Sequence, residues 1–376
     1  MKKDNKSKGV IGFILLIIVC GVIGGIVGAI LGLRKSDIPS LGLFEFILIF
    51  VTLFITFIIQ VIIHEGGHLV FGLLSGYEFI SFRVGSLTIV NDDGKLTIKK
   101  FKIQGTGGQC LMMPKNEDYR EIKYILFNLG GVFMNTVVSI ASVAICITYS
   151  DNIILSIFLN MMIISGVIII ITNGIPMKVG GIPNDGYNAL SIGKSDIIKY
   201  SFYIQLKING LMYKGKRIKD MPIQWFQLKE GADYNNPLIT PVKCIEAAYY
   251  HDKLDFDNAK KCYEDLLEVA PDIPKVYEYE IDCELLFYEI IGDRKHEVIE
   301  RLYTEELKKY IKATETHITK KRLMYAYYLI IERNMDKANK LLKEFEALKK
   351  TYPSKGEIAN EVEVMEFVRK ISLKLI

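Results

Sequence analysis

Residues 56–70 read TFIIQVIIHEGGHLV, so His64 and His68 stand at the end of a long apolar run. On an α-helix, positions four apart share a face, and both imidazoles can therefore bind one cation. Glu65 lies beside them, where it can take a proton from a metal-bound water. This motif in this setting predicts zinc-peptidase chemistry at membrane depth.

The alternative is a helix that carries two histidines only for packing or solvation. Among 376 residues there are 5 His and 43 Asp or Glu, and chance would give fewer than about 0.01 such His-acid-x-x-His matches. Upstream, 44–63 is almost continuous hydrocarbon, broken mainly by Glu45, two threonines and Gln60. Polar groups in a bilayer are costly and usually serve a function. These observations favour a metal site. The other histidines, His251, His296 and His317, lie in the C-terminal half and are poor candidates for the same ion.

The composition changes partway along the chain. Hydrophobic residues make up 50% of the sequence, but their excess lies before about residue 176, while Lys, Glu, Asp and Tyr dominate after about residue 195. This shift predicts a membrane-embedded core over 1–195, a linker over 196–240 and a water-soluble domain over 241–376. The formal net charge is only +4 and no long basic run is present, so we expect no nucleic-acid partner.

Four segments have the length and apolarity of spanning helices. They are Val10 to Leu33, Leu43 to Leu74, Ile122 to Thr148 and Ile153 to Ile175. The first follows a cluster of lysines and can also be interpreted as a signal peptide. Its apolar part runs past the usual signal length, which favours a retained helix.

The basic residues predict the orientation of the spans. Lysines precede the first span, and seven Lys or Arg residues lie between the second and third spans, whereas the link 150–152 carries no positive charge. We therefore expect an integral, multi-pass protein of a bacterial cell membrane, in contact with the lipid bilayer and with both termini in the cytoplasm.

Two histidines leave a zinc ion short of its usual three protein ligands. Asp185 is the natural candidate for the third, because it follows the last span in a Gly/Pro-rich stretch that can return to the membrane surface. The alternative is that Asn184-Asp185-Gly186 forms only a tight turn.

In these motifs the chain resembles the site-2 protease family, the intramembrane zinc metalloproteases of peptidase family M50. The resemblance covers about residues 43–190. The matching residues are His64, Glu65 and His68, followed by Asn173, Pro176, Asp185 and Gly186. It implies one Zn²⁺ held by His64, His68 and Asp185, with Glu65 as the general base. A family Gly-Pro-x-x-Asn motif corresponds to 131–135, where Val132 replaces the proline, and it implies that Asn135 contacts substrate.

Between the second and third spans, Phe79 to Val90 and Lys95 to Ile103 are predicted strands of a cytoplasmic β-hairpin, because Asp-Gly separates two alternating segments. The following glycines resemble the family's glycine-glycine segment and imply substrate binding at Gly107 and Gly108. A spanning substrate must unwind before hydrolysis, and a strand edge can bind its freed backbone. The alternative is a plain surface hairpin.

The C-terminal domain is predicted to be helical. Ala247, Tyr250, Ala259, Tyr263 and Pro271 fall at tetratricopeptide-like spacings, which Ala326, Leu329, Ala338 and Leu342 repeat. Such arrays bind partners, and a cytosolic protein partner is expected, although short helical hairpins also serve only as folding units. No two of the six cysteines have the C-x-x-C spacing of a metal-binding pair, so we expect free thiols and no second metal site.

The sequence thus predicts a mainly α-helical, polytopic intramembrane zinc metalloendopeptidase with a tetratricopeptide-like tail. Its substrate would be a membrane protein or a peptide, cut within or beside a membrane-spanning or signal-peptide-like segment. The rival hypothesis is a non-catalytic membrane scaffold whose tail recruits a cytosolic partner. Such a scaffold has no need of Glu65 between the histidines. A transporter would require more intramembrane polar residues and an inverted repeat.

Overall fold

The computed structural model describes residues 43–101, 103, 106–149 and 152–374. Within them it is mainly helical, and three helices are long and apolar enough to cross a membrane: Ile47–Leu74, Tyr119–Thr148 and Ile153–Gly174. The predicted association with a membrane and the mainly helical class are therefore supported by the fold. The predicted first span, Val10 to Leu33, lies outside the described residues, and the total of four spans stays a prediction.

The three long apolar helices have clear boundaries at the start of the third helix and at the end of the first. We name them α1 (Leu43–Leu74), α2 (Tyr124–Thr148) and α3 (Ile153–Gly174). The Asn152 side chain accepts a hydrogen bond from the backbone N–H of Leu155 and caps α3. α1 ends just before Gly76, which adopts a φ of +84° that favours glycine.

The chain forms two compact units. The first contains the described residues up to Val70 together with Phe127–Ala189, and the second contains Phe71–Leu126 and the residues from Leu190 onward. The bulk of the three apolar helices belongs to the first unit. The second unit holds a β-sheet and the C-terminal helices.

Inside the first unit, the buried face of α1 is polar. Thr56, Gln60, His64 and His68 follow one another at four-residue intervals, and all four are buried. In a helix this spacing forms a single stripe. The rest of α1 is largely exposed hydrocarbon, as expected for a helix that meets lipid on its outer side.

The sheet in the second unit has four antiparallel strands in the order β3-β2-β1-β4. The strands are β1 (Tyr77–Val84), β2 (Leu87–Asp92), β3 (Lys95–Lys100) and β4 (Gly108–Pro114). The predicted Asp93-Gly94 hairpin joins β2 to β3, with Asp92 paired to Lys95. The prediction of one strand over Phe79–Val90 was wrong: Gly85, at a φ of +60°, turns the chain and splits it into β1 and β2.

The remaining helices follow in the second unit, after a short α4 in the first. They are α4 (Asp185–Ser191), α5 (Asp196–Tyr213), α6 (Thr240–Asp252), α7 (Phe256–Val269), α8 (Lys275–Ile291), α9 (His296–Leu302), α10 (Glu305–Ala313), α11 (Ile318–Ala326), α12 (Met335–Thr351) and α13 (Lys355–Lys374). α5 occupies the stretch expected to be a linker, and its apolar residues pack against β4.

Helices α6 and α7 pair, as do α11 and α12. The alanines that suggested close packing, Ala247, Ala259, Ala326 and Ala338, are all buried, as small residues are where two helices approach closely. Helical hairpins thus occur where the repeat pattern was found. The tetratricopeptide assignment itself stays a prediction.

The end of the β2–β3 hairpin contacts the hydrophobic core of the C-terminal helices. Phe101, just after β3, belongs to that core and packs its ring 4.8 Å from the ring of Tyr352. The Nζ of Lys99 donates to the carbonyl of Tyr352 at 3.0 Å, and Lys355 pairs with Asp92. The hairpin region is therefore packed against the helical tail.

A buried ionic network crosses this helical core. Arg322, whose side chain is 1% exposed, donates to Glu284 at 2.6 Å and to Glu361 at 2.7 Å. The guanidinium also lies 4.0 Å from the ring centre of Phe287. Burial raises the pKa of Glu361 to about 7, although Arg322 opposes that shift. Removing one partner of such a network leaves an uncompensated buried charge.

Five cysteines fall among the described residues: Cys110, Cys146, Cys244, Cys262 and Cys283. All five are free thiols. Burial raises the pKa of the Cys283 thiol to about 12, so the neutral thiol predominates at neutral pH.

Candidate metal centre

The two histidines of α1 point to one spot inside the first unit. Their Nε2 atoms lie 3.2 Å apart, and each residue is only 7% exposed. The four-residue spacing predicted this convergence.

Asp185 completes the cluster from a position 121 residues after His64. Its Oδ2 lies 3.0 Å from the Nε2 of His64 and 3.3 Å from the Nε2 of His68. Among the described residues, these three form the one group of His, Cys, Asp or Glu side chains whose ligand atoms lie close enough to hold a metal ion. Asp185 thus lies beside both histidines, and its role as a metal ligand stays a prediction.

The segment before Asp185 is held by Asn184. Its Nδ2 donates to the carbonyls of Thr172 at 2.8 Å and Ile175 at 2.6 Å, while its Oδ1 accepts from the backbone N–H groups of Met177 at 3.0 Å and Tyr187 at 2.9 Å. These four hydrogen bonds tie the end of α3 to the start of α4. They fix the backbone from which the Asp185 carboxylate reaches the histidines.

Two close backbone approaches require glycine around the cluster. A Cβ at Gly131 would lie 2.6–2.8 Å from the His64 ring, so that ring packs directly on the α2 backbone. A Cβ at Gly186 would lie 2.2 Å from the carbonyl oxygen of Gly174. Real Cβ contacts essentially never fall below 3.0 Å. The glycines at 131 and 186, both part of the family resemblance, thus have steric reasons in this fold.

The tautomer of each histidine is set by what its Nδ1 contacts. The Nδ1 of His68 lies 2.8 Å from the carbonyl oxygen of Phe127, which can only accept, so this Nδ1 carries the hydrogen. The Nδ1 of His64 lies 2.8 Å from the Oδ1 of Asn135. The Nδ2 of Asn135 faces the carbonyl oxygen of Gln60 at 2.9 Å, which fixes the amide orientation and leaves Oδ1 to accept from His64.

When both rings are neutral and carry their hydrogen at Nδ1, the two Nε2 atoms and the Asp185 carboxylate all present lone pairs to one point. Three such groups can act together as ligands of one cation. The three separations, 3.0, 3.2 and 3.3 Å, are within a few tenths of an ångström of the roughly 3.3 Å between ligands of a tetrahedral zinc bonded at about 2.0–2.1 Å. The donor set and its spacing fit Zn²⁺.

Glu65 follows His64 directly on α1 and is 9% exposed. A general base is expected to be a carboxylate that lies close to the metal ligands without being one of them. Its predicted role stays a prediction.

The other predicted site residues have different surroundings. Asn135 is fully buried, and its amide bonds to His64 and Gln60. Gly108 begins β4, an edge strand of the sheet, and the carbonyl of Gly107 accepts from the N–H of Gly85 at 2.8 Å. Substrate contacts by Asn135, Gly107 and Gly108 remain predictions.

Sequence reasoning missed two residues that shape the centre. Asn184 was treated only as part of a possible turn. Its local sequence does not distinguish an asparagine in a tight turn from one that holds a longer loop through side-chain hydrogen bonds. Gln60 did leave a signal: it interrupts the hydrocarbon run one helical turn before His64, and therefore on the same face.

Comparisons with protein-family models, with curated proteins and with solved structures found no match for this chain.

Proposed function

We propose that this protein is an intramembrane zinc metalloendopeptidase of the site-2 protease type. It hydrolyses a peptide bond within or beside a membrane-spanning or signal-peptide-like segment. The observation that carries the proposal is the convergence of three side chains that can bind a metal ion, His64, His68 and Asp185, among helices apolar enough for a membrane.

His64, His68 and Asp185 would hold the ion. Zinc supplies a Lewis acid that lowers the pKa of a water molecule to about 7 and polarises a carbonyl. Glu65 takes the proton from the attacking water and returns it to the leaving amide nitrogen. The hydrogen bonds from each Nδ1 to Asn135 and to Phe127 keep both Nε2 lone pairs directed at the ion.

The substrate must present an unwound backbone, because a helical segment has its amides paired internally. β4 is an edge strand, and such strands bind extended peptides by strand addition. We propose that substrate adds to the strand that begins at Gly108. In this proposal the protein is multi-pass, with both termini in the cytoplasm of a bacterial cell.

The test is cleavage of a model spanning segment by the purified full-length protein in detergent, with zinc content determined on the same samples. The comparison pairs Glu65→Gln with Asp185→Ala. Glu65→Gln should keep about one zinc per chain and lose roughly 10²–10⁴-fold in turnover, the usual contribution of a general base. Asp185→Ala should lose both zinc and turnover.

Three results would contradict the proposal. Equal turnover by wild type and Glu65→Gln would exclude Glu65 as the base. Zinc retained by Asp185→Ala at wild-type affinity would exclude the ligand set. Zinc binding with no cleavage of any spanning segment would favour the non-catalytic scaffold, whose function lies in a partner of the C-terminal helices.

A further inference from the structure

The polar stripe of α1 continues beyond the ligands to Gln60, a residue with no role in the reaction proposed above. Gln60 is fully buried. Its side-chain Nε2 donates to the carbonyl oxygen of Met162 on α3 at 2.8 Å. A carbonyl only accepts, so this contact fixes the Gln60 amide with Oε1 directed elsewhere.

That Oε1 accepts from Asn135 on α2. The Nδ2 of Asn135 lies 2.7 Å from the Oε1 of Gln60 and 2.9 Å from its backbone carbonyl. With its amino group committed to Gln60, Asn135 has its Oδ1 directed at the Nδ1 of His64, 2.8 Å away. A continuous series of hydrogen bonds thus runs from an α3 backbone carbonyl, through two side-chain amides, to the histidine ring.

Gly166 gives Gln60 the space for this arrangement. A Cβ at position 166 would lie 2.7 Å from the Nε2 of Gln60 and 2.2 Å from the Oγ of Ser139. The close approach of Gln60 to the α3 backbone therefore depends on glycine at this position.

We propose that Gln60 is a positioning residue for the metal centre, acting on His64 through Asn135. It holds the Asn135 amide so that Oδ1 accepts from Nδ1 of His64, which leaves the Nε2 lone pair for the ion. The proposal rests on the metal site of the proposed function, and it assigns Asn135 a supporting role instead of a substrate contact. Asn135 is one hydrogen bond away from the ligand His64, and Gln60 is one hydrogen bond further. Outer partners of metal ligands typically contribute 10–100-fold in metal affinity.

A merely structural glutamine would also be buried and hydrogen-bonded, so the test must detect the coupling to Asn135. We would measure Zn²⁺ affinity by chelator competition on full-length protein in detergent for wild type, Gln60→Met, Asn135→Ala and the double variant. Methionine nearly preserves the glutamine volume but has no amide. The visible absorption of Co²⁺-loaded protein reports the ligand geometry of the same four proteins.

We expect Gln60→Met to weaken Zn²⁺ binding by about tenfold or more and to alter the Co²⁺ absorption. In the Asn135→Ala background the same substitution should change affinity by less than about twofold, because the two residues act in series. Thr56→Val is the matched control: Thr56 is buried on the same stripe, but its hydroxyl donates to the carbonyl of Leu53 in its own helix at 3.0 Å. This control should bind Zn²⁺ like wild type.

Unchanged affinity in Gln60→Met would overturn the proposal, and so would an equal loss in both backgrounds. Gln60→Leu, with a differently shaped side chain, must reproduce the result, which guards against a packing fault peculiar to methionine. Because Zn²⁺ affinity is measured without substrate, a wild-type protein that binds zinc but cleaves nothing would refute the peptidase while leaving this result standing.

Discussion

The two adjacent glycines of the histidine motif, Gly66 and Gly67, have different surroundings. A Cβ built on Gly67 would lie 2.3 Å from the carbonyl oxygen of Gly130 on α2, whereas a Cβ on Gly66 meets nothing within 4 Å. Gly67→Ala and Gly66→Ala therefore add the same methyl group to neighbouring positions of one helix. They differ in whether the methyl group meets the backbone of α2.

The size of the effect follows from the distances. Ordinary van der Waals contact begins near 3.4 Å. Gly67→Ala therefore requires α1 and α2 to move apart by roughly 1 Å at this point. Overfilling a packed core in this way costs about 1–3 kcal/mol of stability. Two hydrogen bonds join the histidines of α1 to α2, each at 2.8 Å: Nδ1 of His64 donates to Asn135, and Nδ1 of His68 donates to the carbonyl of Phe127. A displacement along them would stretch each to nearly 4 Å, beyond hydrogen-bonding range. Losing such contacts typically lowers metal affinity by 10–100-fold.

The assay is Zn²⁺ competition with a chelator on the two purified variants, with helical content checked by circular dichroism. Gly66→Ala should bind Zn²⁺ like wild type and gain about 1 kcal/mol of helix stability. Gly67→Ala should bind at least about tenfold more weakly. If both variants, equally helical, bound Zn²⁺ with the same affinity, the close α1–α2 contact would not support the metal centre, and the steric reasoning would be refuted.

Three further predictions concern other parts of the structure. Arg322→Leu should destabilise the helical unit by about 3–5 kcal/mol, because it leaves buried carboxylates unpaired. Thermal unfolding, followed by the fluorescence of Trp225, the one tryptophan of the chain, measures this loss. A loss of stability below about 1 kcal/mol would contradict the prediction. Folding raises the pKa of Glu361 from 4.5 to about 7, so the folded wild type holds a proton that the unfolded chain releases in this pH range. The wild type therefore loses stability as the pH rises from about 4.5 to about 7, and Glu361→Gln should gain stability relative to it. A stability difference that does not change with pH in the same unfolding assay would exclude this linkage. Asn184→Ala removes four hydrogen bonds and should weaken Zn²⁺ binding by about tenfold or more through misplacement of Asp185, whereas wild-type affinity would show that the loop is held by other contacts.

The sequence predictions were right where the spacing of neighbouring residues determines the local structure. The four-residue spacing of His64 and His68 guarantees a shared helical face, and Asp93-Gly94 between alternating segments specifies a hairpin. The same reasoning failed at Gly85, because a single glycine within an alternating segment indicates a bulge, a close contact or a turn without distinguishing among them.

The apolar helices, the pair of histidines and the acid between them could be predicted from the sequence, since each follows from residues within a few helical turns. The contact of Asp185 with His64 across 121 residues, and the hydrogen bonds through which Asn135 and Gln60 fix the His64 tautomer, became visible only in the folded structure. The same holds for the packing of the β2–β3 hairpin on the C-terminal helices, through Phe101 and Tyr352. Contacts between distant segments depend on how helices pack and on which carbonyls remain available to accept hydrogen bonds. Neither property is encoded in the spacing of residues along one element.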